Sequence, residues 1–141
     1  MLMKLHFLDK SHIDEMVALT KELNPNLSID ILKERHEKMF SFHNYRCFGM
    51  YENEKLIALS SGWITVKLYS GKQLEIDNVI VDPSTQSKGY GNIFLDLIED
   101  WARKEDCETV ELNAYAANGR AHKFYYKRDY QIVGFHFQKG I

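Results

Sequence analysis

The sequence predicts an α/β fold built on a mixed β-sheet, and three observations support this prediction. Short apolar alternations separated by turn residues recur between residues 46 and 81, which is typical of strands joined by hairpins. Residues 73–115 read as strand, amphipathic helix and strand, which is typical of a crossover between parallel strands. The chain has 141 residues, of which 45% are hydrophobic, so it can form one substantial core. We therefore expect a single domain spanning residues 1–141.

The first elements are a short strand over residues 3–7 and two helices. Ser11 is a candidate N-cap for the first helix, which should end near Asn24 and Pro25. Its apolar face recurs at helical spacing through Ile13, Met16, Val17, Thr20 and Leu23. Ser28 is a candidate N-cap for the second helix. That helix carries Ile29, Leu32, His36, Met39 and Phe40.

Three strands joined by tight turns should follow, over residues 46–51, 56–69 and 73–81. The polar residues 52–55 and the Ser-Gly-Lys sequence at 70–72 are typical of the turns between them. Strands joined in this way pair as antiparallel neighbours.

The second half begins with the most regular helical pattern of the chain. Its inward positions are Ile93, Phe94, Leu97, Ile98 and Trp101. A strand over 109–115, a short helix over 118–127 and one or two strands over 130–139 complete the chain. The predicted order is therefore β-α-α-β-β-β-α-β-α-β.

A glycine-bearing loop joins the strand 73–81 to the next helix. Residues 86–91 read Gln-Ser-Lys-Gly-Tyr-Gly and lead directly into the helical pattern. Unpaired N–H groups at a helix N-terminus, together with the helix dipole, form an anion site. The spacing lacks the Gly-Lys-Ser/Thr ending of a P-loop and the third glycine of the dinucleotide fingerprint. A plain glycine-rich turn is the alternative interpretation.

Two motifs resemble those of the GNAT acyl-CoA N-acyltransferases. The loop is similar to the pyrophosphate loop Q/R-x-x-G-x-G/A, which follows a strand ending in V-x-P, here Val81-Asp82-Pro83. Residues 118–125 are similar to the helix motif N-x-x-A-x-x-F-Y of the same family. That motif is normally followed by K-x-G-F, and Asp129 stands at the expected glycine. Because Asp tolerates a left-handed conformation, the helix can still end there.

The resemblance covers essentially the whole chain and implies a GNAT fold that binds acetyl-CoA. In this fold the central parallel strands, here 73–81 and 109–115, splay apart and admit the pantetheine arm. Asn118 would bond the pantetheine or a bound water, and a side-chain donor from Lys88 or Gln86 could reach the phosphates. The implied pantetheine-binding backbone groups are those of Val79, Ile80 and Val81. The implied pyrophosphate-binding amides are those of Ser87, Lys88, Gly89, Tyr90, Gly91 and Asn92.

The resemblance also suggests catalytic residues. Tyr125 would donate a proton to the departing thiolate, although a core tyrosine with a bonded hydroxyl is the alternative. Asp77 and Glu75 are the candidates for the general base or the amine-binding group, and a solvated hairpin face is their alternative. Alternation along this strand predicts that both share a face with Val79 and Val81. The opposite face should carry Ile76, Asn78 and Ile80.

The expected function is an acetyl-CoA-dependent N-acetyltransferase that acts by direct transfer in a ternary complex. The acceptor would be a small-molecule or peptide amine, bound under residues 23–45, where Glu34, Glu37 and His43 are possible contacts. A non-catalytic acyl-CoA-binding sensor is the first alternative. A nucleotide-binding regulator that uses the loop for a plain phosphate is a weaker one.

Composition limits the other partners. A net charge of −2 provides no global field for nucleic acid or an anionic membrane. Cys47 and Cys107 lie far apart and predict neither a metal site nor a disulfide scaffold. Without a signal-peptide pattern we expect a cytoplasmic protein. The apolar residues of 134–139 suggest a strand that pairs across a homodimer.

Overall fold

A five-stranded mixed sheet organises the chain. The computed structural model describes residues 2–141, except for the side chains of Gln86 and Ser87. The strands are β1 His6–Phe7, β2 Tyr45–Glu52, β3 Lys55–Lys67, β4 Gly71–Val81 and β5 Thr109–Leu112. The helices are α1 Ile13–Leu23, α2 Ile29–Phe40, α3 Tyr90–Lys104 and α4 Gly119–Lys127. The chain divides into two compact units, one ending at Glu111 and the other Leu112–Ile141, which we describe separately.

The sheet order is β1-β2-β3-β4-β5, and the pairs from β1 to β4 are antiparallel, as the sequence predicts. Helices α1 and α2 pack on one face, which we call the α1/α2 face. Its buried core includes Met16, Val17, Leu32, Cys47 and Leu59. Helix α3 packs on β3 and β4, and the ring of its Trp101 lies 5.1 Å from that of Phe48. Alternation along β2 sends neighbouring residues Cys47 and Phe48 to opposite faces.

The N-caps of the first two helices differ in how well the sequence identifies them. Ser28 caps α2, because its Oγ accepts a hydrogen bond from Ile31 N at 3.2 Å. The prediction that Ser11 caps α1 is wrong. Asp9 accepts from Ser11 N and caps a 3₁₀ helix, Lys10–His12, from which α1 continues. Aspartate and serine are equally good caps, so local sequence alone does not separate them.

The β2–β3 hairpin has the turn that its sequence predicts. Asn53 and Glu54 both have positive φ, 49° and 66°. Two consecutive left-handed residues define a type I′ turn, whose twist matches that of the flanking strands. The turn therefore fixes the register in which β2 and β3 pair.

A β-bulge in β4 overturns the predicted faces of this strand. Ser61 is paired with Asp77 and Leu59 with Ile80, so β4 contains one more residue than β3 over this interval. Asn78 has a φ of 53° and takes up the extra residue. Ile80 consequently packs against the core on the α1/α2 face. Glu75, Asp77, Asn78 and Ile80 share that face, whereas Val79 and Val81 do not follow the phase of Glu75 and Asp77.

The end of the chain contains less strand than the sequence predicts. Strand β5 ends at Leu112 rather than at residue 115, and Asn118 N donates to Tyr115 O in the turn before α4. The predicted strand over 130–139 is wrong, since residues 130–141 adopt no regular secondary structure. A strand requires ladder partners, and β-propensity alone does not supply them. The apolar side chains of Val133, Phe135 and Phe137 are 79–91% exposed.

No helix in residues 2–141 combines the length and the apolar character that crossing a bilayer requires.

Candidate functional site

The segment between β4 and α3 is a helical turn followed by a left-handed glycine. Pro83–Lys88 forms a 3₁₀ helix that Asp82 caps by accepting from Ser84 N at 2.9 Å. Gly89 follows with φ 73° and ψ 17°, and α3 begins at Tyr90. Most residues with a Cβ are strained at that φ, so a glycine is favoured where the chain turns into α3.

The start of α3 provides the backbone donors that the sequence predicts for an anion. Gly89 is its N-cap, and as a glycine it has no side chain to cap the helix. The N–H groups of Gly89, Tyr90 and Gly91 thus lie at a helix N-terminus, where the helix dipole favours negative charge. Ser87 and Lys88 lie inside the 3₁₀ helix, whose amides donate to carbonyls three residues earlier. The predicted side-chain donor Gln86 lies outside the described side chains.

A carboxylate that the sequence did not indicate reaches this segment. Glu52, at the end of β2, contacts Lys88 Nζ through Oε1 at 3.5 Å and accepts a hydrogen bond from the Tyr90 hydroxyl. The Tyr90 hydrogen bond is the main cause of a lowered pKa of Glu52. Lys88 also lies 5.8 Å from the centre of the Tyr90 ring. An incoming phosphate would therefore compete with Glu52 for Lys88.

The ionisation of Asp82 makes the stability of the fold depend on pH. Its carboxylate contacts Lys55 Nζ at 2.9 Å and accepts from Ser84 N, which lowers the pKa of Asp82 to about 2. A carboxyl whose folded pKa is depressed stabilises the fold above its unfolded pKa of about 4 and loses that contribution as pH falls toward the folded value.

We therefore expect Asp82→Asn to flatten the loss of stability between about pH 4 and pH 2, because the variant has no carboxylate to protonate there. Urea unfolding at several pH values measures this effect. Asp96→Asn on α3, an exposed position, is the matched control. An unchanged acid profile for Asp82→Asn would contradict the assignment.

The predicted pantetheine-binding residues occupy the last part of β4, beyond the bulge. Ile80 and Val81 are register partners of Leu59 and Ala58 on β3, and Asp82 N donates to Ile57 O at 2.7 Å. This pairing occupies the edge of β4 that faces β3. At the opposite end of β4, Glu108 N, just before β5, donates to Lys72 O at 2.7 Å.

A small cavity lies on the α1/α2 face beside the bulge. Its volume is about 110 Å³, and it is lined by Thr20, Asn24, Leu27, Leu32, Arg35, His36, Met39 and Asn78. His36 is 3% exposed, and its Nε2 lies 3.0 Å from Thr20 Oγ1. Burial lowers the pKa of His36, so the imidazole is neutral at neutral pH. A larger groove of about 370 Å³ between α1 and α2 contains none of the predicted site residues.

A row of hydrogen bonds connects this cavity to the centre of the sheet. Asn78 Nδ2 donates to Ser61 Oγ at 3.3 Å, and Ser61 Oγ lies 2.8 Å from the Tyr45 hydroxyl. Burial raises the pKa of Tyr45, which therefore stays protonated. Asp77, the exposed neighbour of Asn78, accepts from Asn78 N at 2.8 Å. The bulge thus brings the candidate carboxylate Asp77 next to a polar wall.

Glu75 is half-buried opposite Trp63 on the same face as Asp77. The three residues that the sequence suggested as acceptor contacts lie outside the lining of the small cavity. Glu34 is exposed and contacts Lys38 Nζ at 3.2 Å, while Glu37 and His43 are exposed and do not line the cavity. The sequence identified His36 only as a residue of the α2 face.

The second unit contains the other predicted motif on α4. Asn118 Oδ1 accepts from Ala121 N at 3.1 Å and caps the helix, a role that the resemblance did not include. Asp129 has a φ of 66°, and Tyr130 N donates to Tyr125 O at 3.0 Å. The predicted left-handed helix end at Asp129 is therefore confirmed.

Tyr125 is a half-buried residue near the end of α4. Its ring lies 5.3 Å from that of Phe124 and 5.6 Å from that of Tyr130. Burial raises the pKa of Tyr125, so its hydroxyl keeps its proton at neutral pH. Tyr126, the next residue, is 54% exposed.

The thiol of Cys47 is unsuited to carry an acyl group. It is 2% exposed, and burial raises its pKa to about 12. The thiolate is the nucleophilic form, and at neutral pH it is essentially absent from such a site. Among the described residues no cluster of three or more metal-ligating side chains occurs.

Comparison with known proteins agrees with the fold and the motifs. The model of the acetyltransferase (GNAT) family matches residues 13–130. A relative from Bacillus subtilis (strain 168), the uncharacterized N-acetyltransferase YhdJ, is 31% identical over 128 residues, which cover 90% of each chain.

Solved structures show the same fold at low identity. The aminoglycoside N-acetyltransferase AAC(6')-Iy in complex with CoA has a TM-score of 0.84 at 14% identity, covering 99% of this chain and 95% of that one. AAC(6')-Ih from Acinetobacter baumannii, an aminoglycoside 6'-N-acetyltransferase, has a TM-score of 0.82 at 16% identity, with 99% of both chains covered.

Proposed function

This chain belongs to the acetyltransferase (GNAT) family, and from that membership we propose that it transfers an acetyl group from acetyl-CoA to a primary amine. Transfer is direct and takes place in a ternary complex of enzyme, acetyl-CoA and amine.

The observation that carries this proposal is the start of α3. A left-handed Gly89 is the N-cap of a helix and has no side chain of its own to cap it, and such a helix N-terminus suits a diphosphate such as that of acetyl-CoA. The amides of Gly89, Tyr90 and Gly91 would hold it, and Lys88 would add a cation after release from Glu52. The backbone of Val79, Ile80 and Val81 would bind the pantetheine amides, with Asn118 as a further contact. Acetyl-CoA supplies an activated thioester.

The chain's own side chains would move the protons. The amine must lose a proton to react, because an alkylammonium has a pKa of about 10. Asp77 or Glu75, on the α1/α2 face, would attract the cationic amine and accept its proton directly or through a water. Tyr125 would donate a proton to the departing thiolate sulfur. The burial of Cys47 supports direct transfer over a covalent acyl-enzyme.

An assay of a broad amine panel with acetyl-CoA, read by release of free thiol, tests the proposal. We expect release with at least one small amine and binding of CoA by the protein. CoA binding without thiol release on any amine would favour the alternative, a non-catalytic acyl-CoA-binding sensor. Displacement of CoA by ATP would favour a plain phosphate-binding regulator.

We propose that the protein works in the cytoplasm. Its two cysteines are free thiols, which suits a reducing compartment.

We further propose that the chain forms a homodimer through its exposed C-terminal residues. The segment 130–141 has β-forming residues, including Phe135 and Phe137, that are 85% and 91% exposed. An exposed apolar segment of this kind can pair with its counterpart in a second copy.

Sedimentation of the wild-type protein should accordingly give a dimer, and Phe135→Ser/Phe137→Ser should give a monomer. The matched control is Val66→Ser/Leu68→Ser, which removes two exposed apolar side chains near the end of β3 and should leave the dimer intact. A monomeric wild-type protein would rule the dimer out.

A further inference from the structure

The cavity beside the bulge contains an unpaired polar atom. Within the described residues, His36 Nδ1 is buried and has no hydrogen-bond partner. A buried polar atom without a partner is uncommon and destabilising unless something else satisfies it. His36 itself is only 3% exposed and lines the cavity. A group entering the cavity is therefore the natural partner for Nδ1.

The hydrogen bonds of Thr20 determine which kind of partner Nδ1 needs. The Thr20 hydroxyl donates its single proton to Met16 O at 3.2 Å. It must then accept from His36 Nε2, which lies 3.0 Å away, so Nε2 bears the hydrogen. In the neutral imidazole this leaves a lone pair on Nδ1, which accepts a hydrogen bond.

The charges around the cavity exclude a second cationic group on the ligand. Among the described residues, the only charged side chain lining it is that of Arg35, and no carboxylate does. The exposed carboxylate of Asp77 lies next to Asn78, outside the cavity lining. A ligand whose ammonium approaches Asp77 would thus place a neutral group between Asn78 and His36. A hydroxyl meets these requirements, since it donates to Nδ1 and accepts from the Asn78 or Arg35 side chain.

We propose that this cavity binds the hydroxyl-bearing end of a small amine acceptor, with His36 Nδ1 accepting a hydrogen bond from that hydroxyl. The inference depends on the proposed acetyl transfer and names the acceptor class for it. A volume of about 110 Å³ corresponds to about four water molecules at their share of about 30 Å³ each in the liquid. The cavity therefore selects a short chain or the end of a larger amine.

Three amines of equal chain length test the specificity. They are 2-aminoethanol, propylamine and 1,2-diaminoethane. In the wild-type enzyme we expect kcat/KM for 2-aminoethanol to exceed that for propylamine by about tenfold, because propylamine leaves Nδ1 unpaired. The diamine should be the poorest acceptor, since its second ammonium would meet Arg35.

Two substitutions of His36 separate recognition from packing. His36→Gln places an amide near the Nε2 position and can keep the Thr20 contact, but it has no acceptor at the Nδ1 position. We expect it to reduce the ratio of kcat/KM between 2-aminoethanol and propylamine to within about twofold. His36→Asn places its oxygen near the Nδ1 position and should retain most of the ratio. His136→Gln, the same exchange at an exposed histidine that does not line the cavity, is the matched control and should leave the ratio unchanged.

Nitrogen-15 NMR of labelled histidine in the wild-type protein tests the same contact without a variant. We expect the Nε2–H form of His36 before any addition, and an upfield shift of Nδ1 on addition of 2-aminoethanol. Wild-type acetylation of all three amines at similar kcat/KM, or an Nδ1 signal that 2-aminoethanol leaves unchanged, would overturn the inference. If no amine releases thiol, the proposed function fails, and the NMR titration still decides whether the cavity binds the hydroxyl.

Discussion

Replacing Tyr125 with phenylalanine is expected to lower kcat for acetyl transfer about 100-fold, the usual size of a lost general acid. The ring packing against Phe124 and Tyr130 is preserved, so the free energy of unfolding should change little. The Kd for CoA should stay within about twofold, because in the proposed mechanism the phenol would act on the departing sulfur and not on the phosphates. Steady-state kinetics and calorimetric CoA titration measure the two quantities.

Tyr126→Phe is the matched control for this variant. It removes the same hydroxyl from the next residue, which is 54% exposed, and should leave kcat unchanged. Because burial raises the pKa of Tyr125, its proton should be lost only above the usual tyrosine value of about 10. The wild-type rate should therefore show no alkaline loss from this group near neutral pH. Equal kcat values for Tyr125→Phe and the wild-type enzyme would remove Tyr125 from the mechanism.

Replacing Gly89 with valine is expected to raise the Kd for CoA about 30-fold, since a β-branched residue at positive φ is strained by about 1–3 kcal/mol. Added side-chain bulk is not the cause, because a Cβ at Gly89 meets no atom within 4 Å. The strain would be relieved by remodelling the turn, which would move the amides of Tyr90 and Gly91 away from the position proposed for the diphosphate. Titration with CoA and urea unfolding would measure the affinity and the stability.

Gly140→Val is the control for that substitution. Its Cβ also meets no atom within 4 Å, and its φ is not in the left-handed range, so both the Kd and the stability should be preserved. If Gly89→Val bound CoA as tightly as the wild-type protein, the diphosphate would have to be held elsewhere.

Sequence reasoning located the elements that depend on local interactions. The apolar spacing of α1 and α3, the Ser28 cap, the turn at Asn53 and Glu54 and the left-handed helix end at Asp129 all follow from contacts within a few residues. Two of the residues predicted to face inward, Leu23 and Ile93, are nevertheless 39% and 37% exposed. The match of the acetyltransferase family model confirms the assignment made from the two motifs. The predicted site residues remain predictions, since their roles need a bound substrate.

Features that depend on contacts between distant residues were missed or wrongly predicted. The bulge at Asn78 exists because β3 and β4 pair with different numbers of residues, and strict alternation therefore failed beyond Asp77. The contact between Glu52 and Lys88 joins two elements that are remote in sequence. The expected strand over 130–139 had suitable residues, yet strand formation requires a neighbouring backbone that sequence patterns do not reveal.

The two walls of the small cavity belong to different secondary-structure elements. Asn78 belongs to the sheet and is held through Ser61 to Tyr45, whose ring packs 4.7 Å from that of Trp63. Arg35, His36 and Met39 instead belong to α2, a helix whose outer surface is mostly exposed. In the proposed mechanism, substitutions of the α2 residues that line the cavity would change which amine is accepted without moving the strand that carries Asp77. Substrate range and reaction chemistry would then depend on separate parts of the molecule, so that the first could diversify while the second is kept.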